Sequence, residues 1–488
     1  MSEKEIYFRK FRANIIGIEE SFNSPYGNKD LIYADWVASG RLYRPIEESI
    51  QNKFGPFVGN THSESSITGC LMTMAYHKAQ KIIKQHVNAG PNDIIISAGF
   101  GMTAVVNKLQ RILGLKIPEK FKDCINIEGN ERPVVFITHM EHHSNQTSWL
   151  ETLAEVIIVE PNDKGLIDLE NLEKLVEKYK ERSLKIGSFT AASNVTGIRT
   201  DYHEMAKIMH KYGGLCFIDF AASAPYVEIN MHPQDPMKKL DAIYFSPHKF
   251  LGGPGTSGVL IMDKDLDTSS VPDHPGGGTV DWTNPWGEHK YINDVEARED
   301  GGTPGFLQTI RTALCIKLKD EMGVENILQR EEELVKIAFE EFEKIPELHI
   351  LANETEDRLG VISFYIEDVH YNLIVKVLND RYGIQVRGGC SCAGTYGHYL
   401  LHVDPTRSGR ITEKISKGDL SEKPGWVRLS LHPTMSNEEL YKTISAIKDI
   451  ISNIDNWQNE YNYDVTTNEF YHENNKGLES YIMDWFSN

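Results

Sequence analysis

Seven short apolar runs, separated by longer amphipathic stretches, constrain this chain more than any other feature. They fall at residues 94–97, 134–138, 156–159, 186–190, 215–219, 243–245 and 258–262. Each is too brief, and too closely bounded by turn residues, to be a helix. Between several of them lie helix-period segments, such as 169–181 and 202–212. That alternation predicts an α/β fold, a mostly parallel seven-stranded sheet wrapped by helices. In such sheets ligands bind on loops beyond the carboxyl ends of the strands. A helix is also expected over 70–86, after the polar, glycine-flanked stretch GNTHSESSITG.

After Gly305 the pattern changes. Helix is expected to about Lys344, then strands at 360–366, 384–387 and 427–431 among helices at 372–382 and 437–454. The expected organisation has four parts. Residues 1–45 are an N-terminal segment packing with the small domain, and 46–310 form the large domain. Residues 311–456 form a smaller α+β domain, and 457–488 a packed surface arm ending in LESYIMDWF.

Composition narrows the function classes. Apolar residues make up 40% and charged residues 25%, as in ordinary soluble globular proteins. With 51 Lys and Arg against 70 Asp and Glu, the formal charge is −19. That argues against nucleic acid or an anionic membrane as partner, because both require basic patches. The N-terminus MSEKEIYFRKFR lacks the apolar core of a signal peptide, and no apolar run approaches a membrane span. A cytoplasmic protein is expected. Six scattered cysteines form neither a disulfide framework nor a zinc-binding spacing, so no metal site is expected. Only Cys390 and Cys392 are close in sequence. They read as a reactive thiol pair or as two small buried residues.

Candidate site residues gather at the ends of the expected strands. Lys249 lies on a His-Lys loop between two of them, followed by Gly252, Gly253 and Gly255. A lysine between core strands is desolvated, which disfavours its ammonium form and suits a Schiff base with a carbonyl cofactor. Asp219 ends the strand LCFID, either as a helix cap or as the anion beside a cofactor ring nitrogen. Gly101 and Met102 lie at a strand-to-helix turn, where free N–H groups and the helix dipole suit a phosphate. His142 and Asn194 follow two further strands. Each taken singly reads as structural. Five strand ends so equipped are better explained by one converging site.

These residues lie in the motifs MEHHSN, SNVTG, FID, FSPHKFLGGPGTSGVLI, PGGGTV, GGTPG, RGGCSCAG and WVRLS, which span about residues 30–435. In that order they resemble the class V, fold-type I pyridoxal-phosphate enzymes, and within them the cysteine desulfurase and selenocysteine lyase group. The resemblance implies that Lys249 holds pyridoxal 5'-phosphate, that His142 stacks on its ring and that Asp219 pairs with the ring nitrogen. Asn194 is then near the phenolic oxygen, with Gly101, Met102, Ser246 and His248 around the phosphate. Thr303 is implied to reach the phosphate of a second subunit, which makes the protein a homodimer. Arg428 is implied to grip the carboxylate of an amino-acid substrate, cysteine or a relative of it, with Arg387 beside it. Cys392 occupies the nucleophile position. The implied reaction releases alanine, leaves a persulfide on Cys392 and passes sulfur to an acceptor protein.

Two departures from the family pattern stand out. Ala222 occupies a position where the desulfurases usually carry a glutamine that donates to the phenolic oxygen. The segment between Cys392 and Arg428 also contains a charged insertion, HVDPTRSGRITEKISKGDLSEKPG. These leave the substrate and the sulfur acceptor open, and two alternatives stand beside the desulfurase reading. One is a class V aminotransferase or other lyase that needs no thiol. The other is a non-catalytic protein that binds the cofactor or docks a sulfur carrier.

Overall fold

A computed structural model describes residues 2–61, 65–474 and 479–487. Residues 62–64 of the GNTHSESSITG stretch and the first residue of LESYIMDWF lie outside the described residues. The chain divides into two units. The larger comprises Asn14–Ile16 and Val37–Leu328, the smaller Met1–Ala13, Gly17–Trp36 and Gln329–Asn488.

The larger unit is built on a seven-stranded sheet. Its strands are β1 (Asp93–Ala98), β2 (Val134–Thr138), β3 (Glu155–Val159), β4 (Lys185–Thr190), β5 (Leu215–Asp219), β6 (Ala242–Phe245) and β7 (Gly258–Asp263). They run in the order β1-β7-β6-β5-β4-β2-β3. Neighbours from β6 through β3 are parallel, and β7 is antiparallel to both β1 and β6. Every residue of β2, β4 and β6 is buried. That explains why VVFIT of β2 and AIYF of β6 read as nearly continuous apolar runs rather than alternating ones, while β4, KIGSFT, buries Lys185, Ser188 and Thr190 as well. Helix α1 (Met102–Ile112) lays Val105, Val106 and Leu109 into a core shared with Val135, Ile137, Phe217, Tyr244 and Leu260. The short helix α2 (His143–Leu150) starts at the end of β2. The seven strands fall where expected, and the early helix covers Ile67–His86.

The smaller unit holds an antiparallel sheet of β8 (Leu348–Ile350), β9 (Val361–Ile366), β10 (Arg387–Gly389) and β11 (Trp426–Ser430), in the order β8-β9-β11-β10. One expectation is corrected here. Residues 384–387 do not form one strand. Ile384–Gln385 pair in parallel with Ile32–Tyr33, whereas Arg387–Gly389 pair with β11. Two partners on different edges require the break at Val386. Helices α3 (Tyr371–Tyr382) and α4 (Asn437–Trp457) supply Ile374, Val377, Leu378, Ile444, Ile447 and Ile450 to this unit's core. Helix α4 opens with a capping box between Ser436 and Glu439. The Glu439 carboxylate also accepts both arms of Arg12, each at 2.8 Å. Within the expected arm, β12 (Tyr461–Asp464) and β13 (Glu469–His472) form a hairpin. Asn468 in its turn donates to the Tyr371 hydroxyl at 2.7 Å. Among the described residues no helix is long and apolar enough to cross a membrane.

Candidate active site

In the larger unit the site is assembled from the carboxyl ends of β1, β2, β4, β5 and β6. The turn after β1 leads into α1 through Gly101, whose φ of +127° disfavours any L side chain. A Cβ placed there would lie 3.1 Å from Ser246 Oγ and 3.6 Å from the His248 ring. The first backbone N–H of α1, from Met102, donates to Ser246 Oγ at 2.9 Å, leaving the serine O–H as a further donor. Gly258 packs so closely that a Cβ there would lie 2.2 Å from Gly101 O. Gly101, Met102, Ser246 and His248 are therefore brought together as a small cup at a helix N-terminus. Burial, then the charge of Lys249, pushes His248 down to about 4. At neutral pH it is a neutral imidazole offering one N–H.

His142 caps α2. Its Nδ1 accepts from the Ser144 N–H at 3.1 Å, which places the proton of the neutral ring on Nε2. The two helix starts are tied by a 2.6 Å hydrogen bond between Thr103 Oγ1 and Ser144 Oγ. Asn194 is buried in a turn where Ser193 Oγ accepts from the N–H groups of Val195 and Thr196 at 3.0 and 3.2 Å. Lys249 ends the short helical turn Pro247–Lys249 after β6.

Asp219 is buried at the end of β5 and accepts from the Ala221 N–H at 2.7 Å. Burial raises it from 3.8 to about 6, while that hydrogen bond and the charge of Lys249 pull the other way. Glu141, one residue before His142, is a site residue that the sequence reading missed. Its carboxylate accepts from Thr138 N and Oγ1, Thr190 N and Asn145 Nδ2, at 3.3, 2.7, 3.0 and 2.7 Å. Thr190 is the register partner of Asp219, so Glu141 braces the end of β2 against the β4–β5 pair. Burial lifts Glu141 from 4.5 to about 7. Its signal in the sequence was only its place beside His142.

These two acids give a pH-dependent stability. Both hold their protons more tightly folded than unfolded. The stability they contribute is complete below about pH 4 and lost as pH rises through about 6 and then about 7. Cofactor-free protein is expected to unfold at lower denaturant at about pH 8 than at about pH 5, with Asp219→Asn flattening part of that fall. Parallel pH profiles for the two proteins in equilibrium unfolding would refute the assignment.

The smaller unit gathers a second set. Arg428 on β11 is the register partner of Arg387 on β10. Arg428 is only 3% exposed, and burial pushes its pKa down against the pull of Asp35. The Asp35 carboxylate bridges the pair, accepting from Arg428 Nη2 at 2.9 Å and Arg387 Nε at 3.0 Å. Cys392 is exposed and stands within electrostatic reach of Arg428, whereas Cys390 is half-buried near Tyr371. Ser391 and Cys392 both have left-handed backbones, with φ of +51° and +57°. Asp35 is the second site residue that the sequence reading missed.

The profile of the aminotransferase class-V family matches residues 32–442. The chain belongs to that family. Among curated relatives, a probable cysteine desulfurase of Halalkalibacterium halodurans is 28% identical over 368 residues, covering 74% of this chain and 84% of that protein. A probable cysteine desulfurase of Staphylococcus epidermidis is 28% identical over 373 residues, with 75% and 84% covered. Among solved structures, the apo cysteine desulfurase of Thermococcus onnurineus superposes with a TM-score of 0.73 at 23% identity, covering 91% of this chain and 98% of that one. A cysteine desulfurase of Escherichia coli gives a TM-score of 0.70 at 20% identity, over 91% and 98%. The fold is that of the fold-type I pyridoxal-phosphate enzymes.

The residues present fit the cofactor that this class V fold implies. The cup lacks a Cβ where one would fill it, its donors suit a phosphate, and the charge of Lys249 acts on Asp219. Ala222, in place of the family's usual glutamine, is buried and brings no donor. The next residue, Ser223, is 1% exposed, and its Oγ has no hydrogen-bond partner among the described residues. Thr303 is exposed, just before the Phe306–Met322 helix.

Proposed function

We propose that this protein is a pyridoxal-phosphate-dependent cysteine desulfurase or a closely similar selenocysteine lyase, working as a homodimer that hands sulfur to an acceptor protein. The observation that carries the reading is Cys392, an exposed thiol in electrostatic reach of a buried arginine. The names of the curated relatives support the same reading.

Pyridoxal phosphate, when bound, supplies an electron sink for bond changes at the substrate's α-carbon. The chain's residues do the rest. Gly101, Met102, Ser246 and His248 hold the phosphate, with Thr303 of the second subunit completing the grip. Asp219 would pair with the ring nitrogen, His142 would cover the ring, and Asn194 would serve the phenolic oxygen. The Lys249 amine would hold the cofactor, and its place at the end of the turn after β6 would let it move the substrate's α-proton. Arg428 takes the substrate carboxylate through paired N–H donors, with Arg387 in support. The Cys392 thiolate attacks the substrate sulfur, forming an S–S bond. The carbon–sulfur bond breaks, its electron pair passes to the carbon skeleton, and protonation there yields alanine.

Incubation of the purified, cofactor-loaded protein with a panel of amino acids tests this directly. Cysteine is expected to give alanine and a mass increment of one sulfur atom on the peptide containing Cys392. A keto-acid product with no thiol adduct would move the protein to the aminotransferases.

A further inference from the structure

Asp35 has no part in the reaction just described, yet its carboxylate joins both arginines. Its position is built in. Asp35 bridges to Ser430 of β11, whose N–H donates to Ala34 O at 2.8 Å. On the other side Trp36 stacks on the buried His432, with ring centres 3.9 Å apart and planes 17° from parallel. The Trp36 indole N–H also donates to Tyr33 O at 2.9 Å. The backbone at residue 35 is therefore held from both neighbours.

The charges can be counted. Arg387 and Arg428 oppose each other across β10 and β11, a placement in which like charges repel. Asp35 offsets this by accepting one N–H from each guanidinium, at 3.0 and 2.9 Å. Two cations and one anion leave a single positive charge, which suits one carboxylate. A second negative charge on the ligand would be repelled by the Asp35 carboxylate.

We infer that Asp35 is a specificity-determining residue, which fixes the two guanidiniums and restricts the site to amino acids carrying one carboxylate. This rests on the proposed role of Arg428 toward the substrate carboxylate. L-Asparagine and L-aspartate are suitable probes because they match in size and differ by one charge. Titration calorimetry on the cofactor-loaded protein is expected to show asparagine binding about tenfold more tightly than aspartate, the effect of one nearby charge in a partly solvated site. In Asp35→Asn the preference should shrink to about twofold or less, and Asp35→Glu, which keeps the charge, should retain it. Equal binding of the two ligands by the unaltered protein would overturn the inference, even if no variant folds. So would a preference that survives in Asp35→Asn. Binding and turnover are separate readouts. A protein that prefers asparagine yet forms no persulfide fails the desulfurase reading alone. One that forms persulfide yet binds both acids equally fails this inference alone.

Discussion

Lys249→Ala is expected to lower turnover by on the order of a thousandfold or more and to end covalent retention of pyridoxal phosphate. The physical basis is local. Lys249 closes the turn after β6, at the same sheet end as Asp219, and its charge pulls the Asp219 proton off. An alanine there removes both the amine and that pull. The intact protein, loaded with cofactor and reduced with borohydride, should carry the label on the peptide containing Lys249. The variant should carry none, yet should keep its fold, since the turn Pro247–Lys249 buries Pro247 rather than the lysine. Label on another lysine, or a variant as active as the parent, would refute the assignment.

Cys392→Ser should have the second large effect. Serine keeps the size of the side chain, and its left-handed neighbour Ser391 indicates that this loop accommodates serine at such a backbone angle. A hydroxyl is hardly ionised near neutral pH, so sulfur release from cysteine should fall by about a hundredfold or more. Cofactor binding should be unchanged by absorbance. Cys390→Ser, at a half-buried position, should retain most activity. If the two results were reversed, Cys390 would be the nucleophile. If both variants turned over normally, the thiol-dependent reaction would be wrong and a thiol-independent class V reaction would replace it.

Much of this site was legible in the sequence because its pieces are local. His142, Asp219 and Lys249 each stand within a few residues of a strand that the apolar pattern already marks. The turn chemistry around Gly101 is equally short-range. What escaped has the opposite character. Asp35 meets Arg387 and Arg428 from 352 and 393 residues away, and nothing in YADWVASG signals that meeting. Glu141 was hidden for another reason. Its donors come from β2, β4 and α2 at once, so its role exists only after those elements are packed. The break at Val386 has the same origin, since two pairing partners on different edges leave no mark on an apolar run. Strand β8, Leu-His-Ile, is only three residues long, too short a signal to stand out from its surroundings.

The reach of α4 has a consequence for how this protein can be shortened or compared. The match to the class V family profile ends at residue 442, within α4. Beyond that point Ile444, Ile447, Ile450, Ile454 and Tyr461 all lie in the smaller unit's core. A chain cut at that residue would keep six of the 21 residues of α4 and leave an open trough of aliphatic side chains. The end of the family match and the end of the folded core are thus different places along this polypeptide.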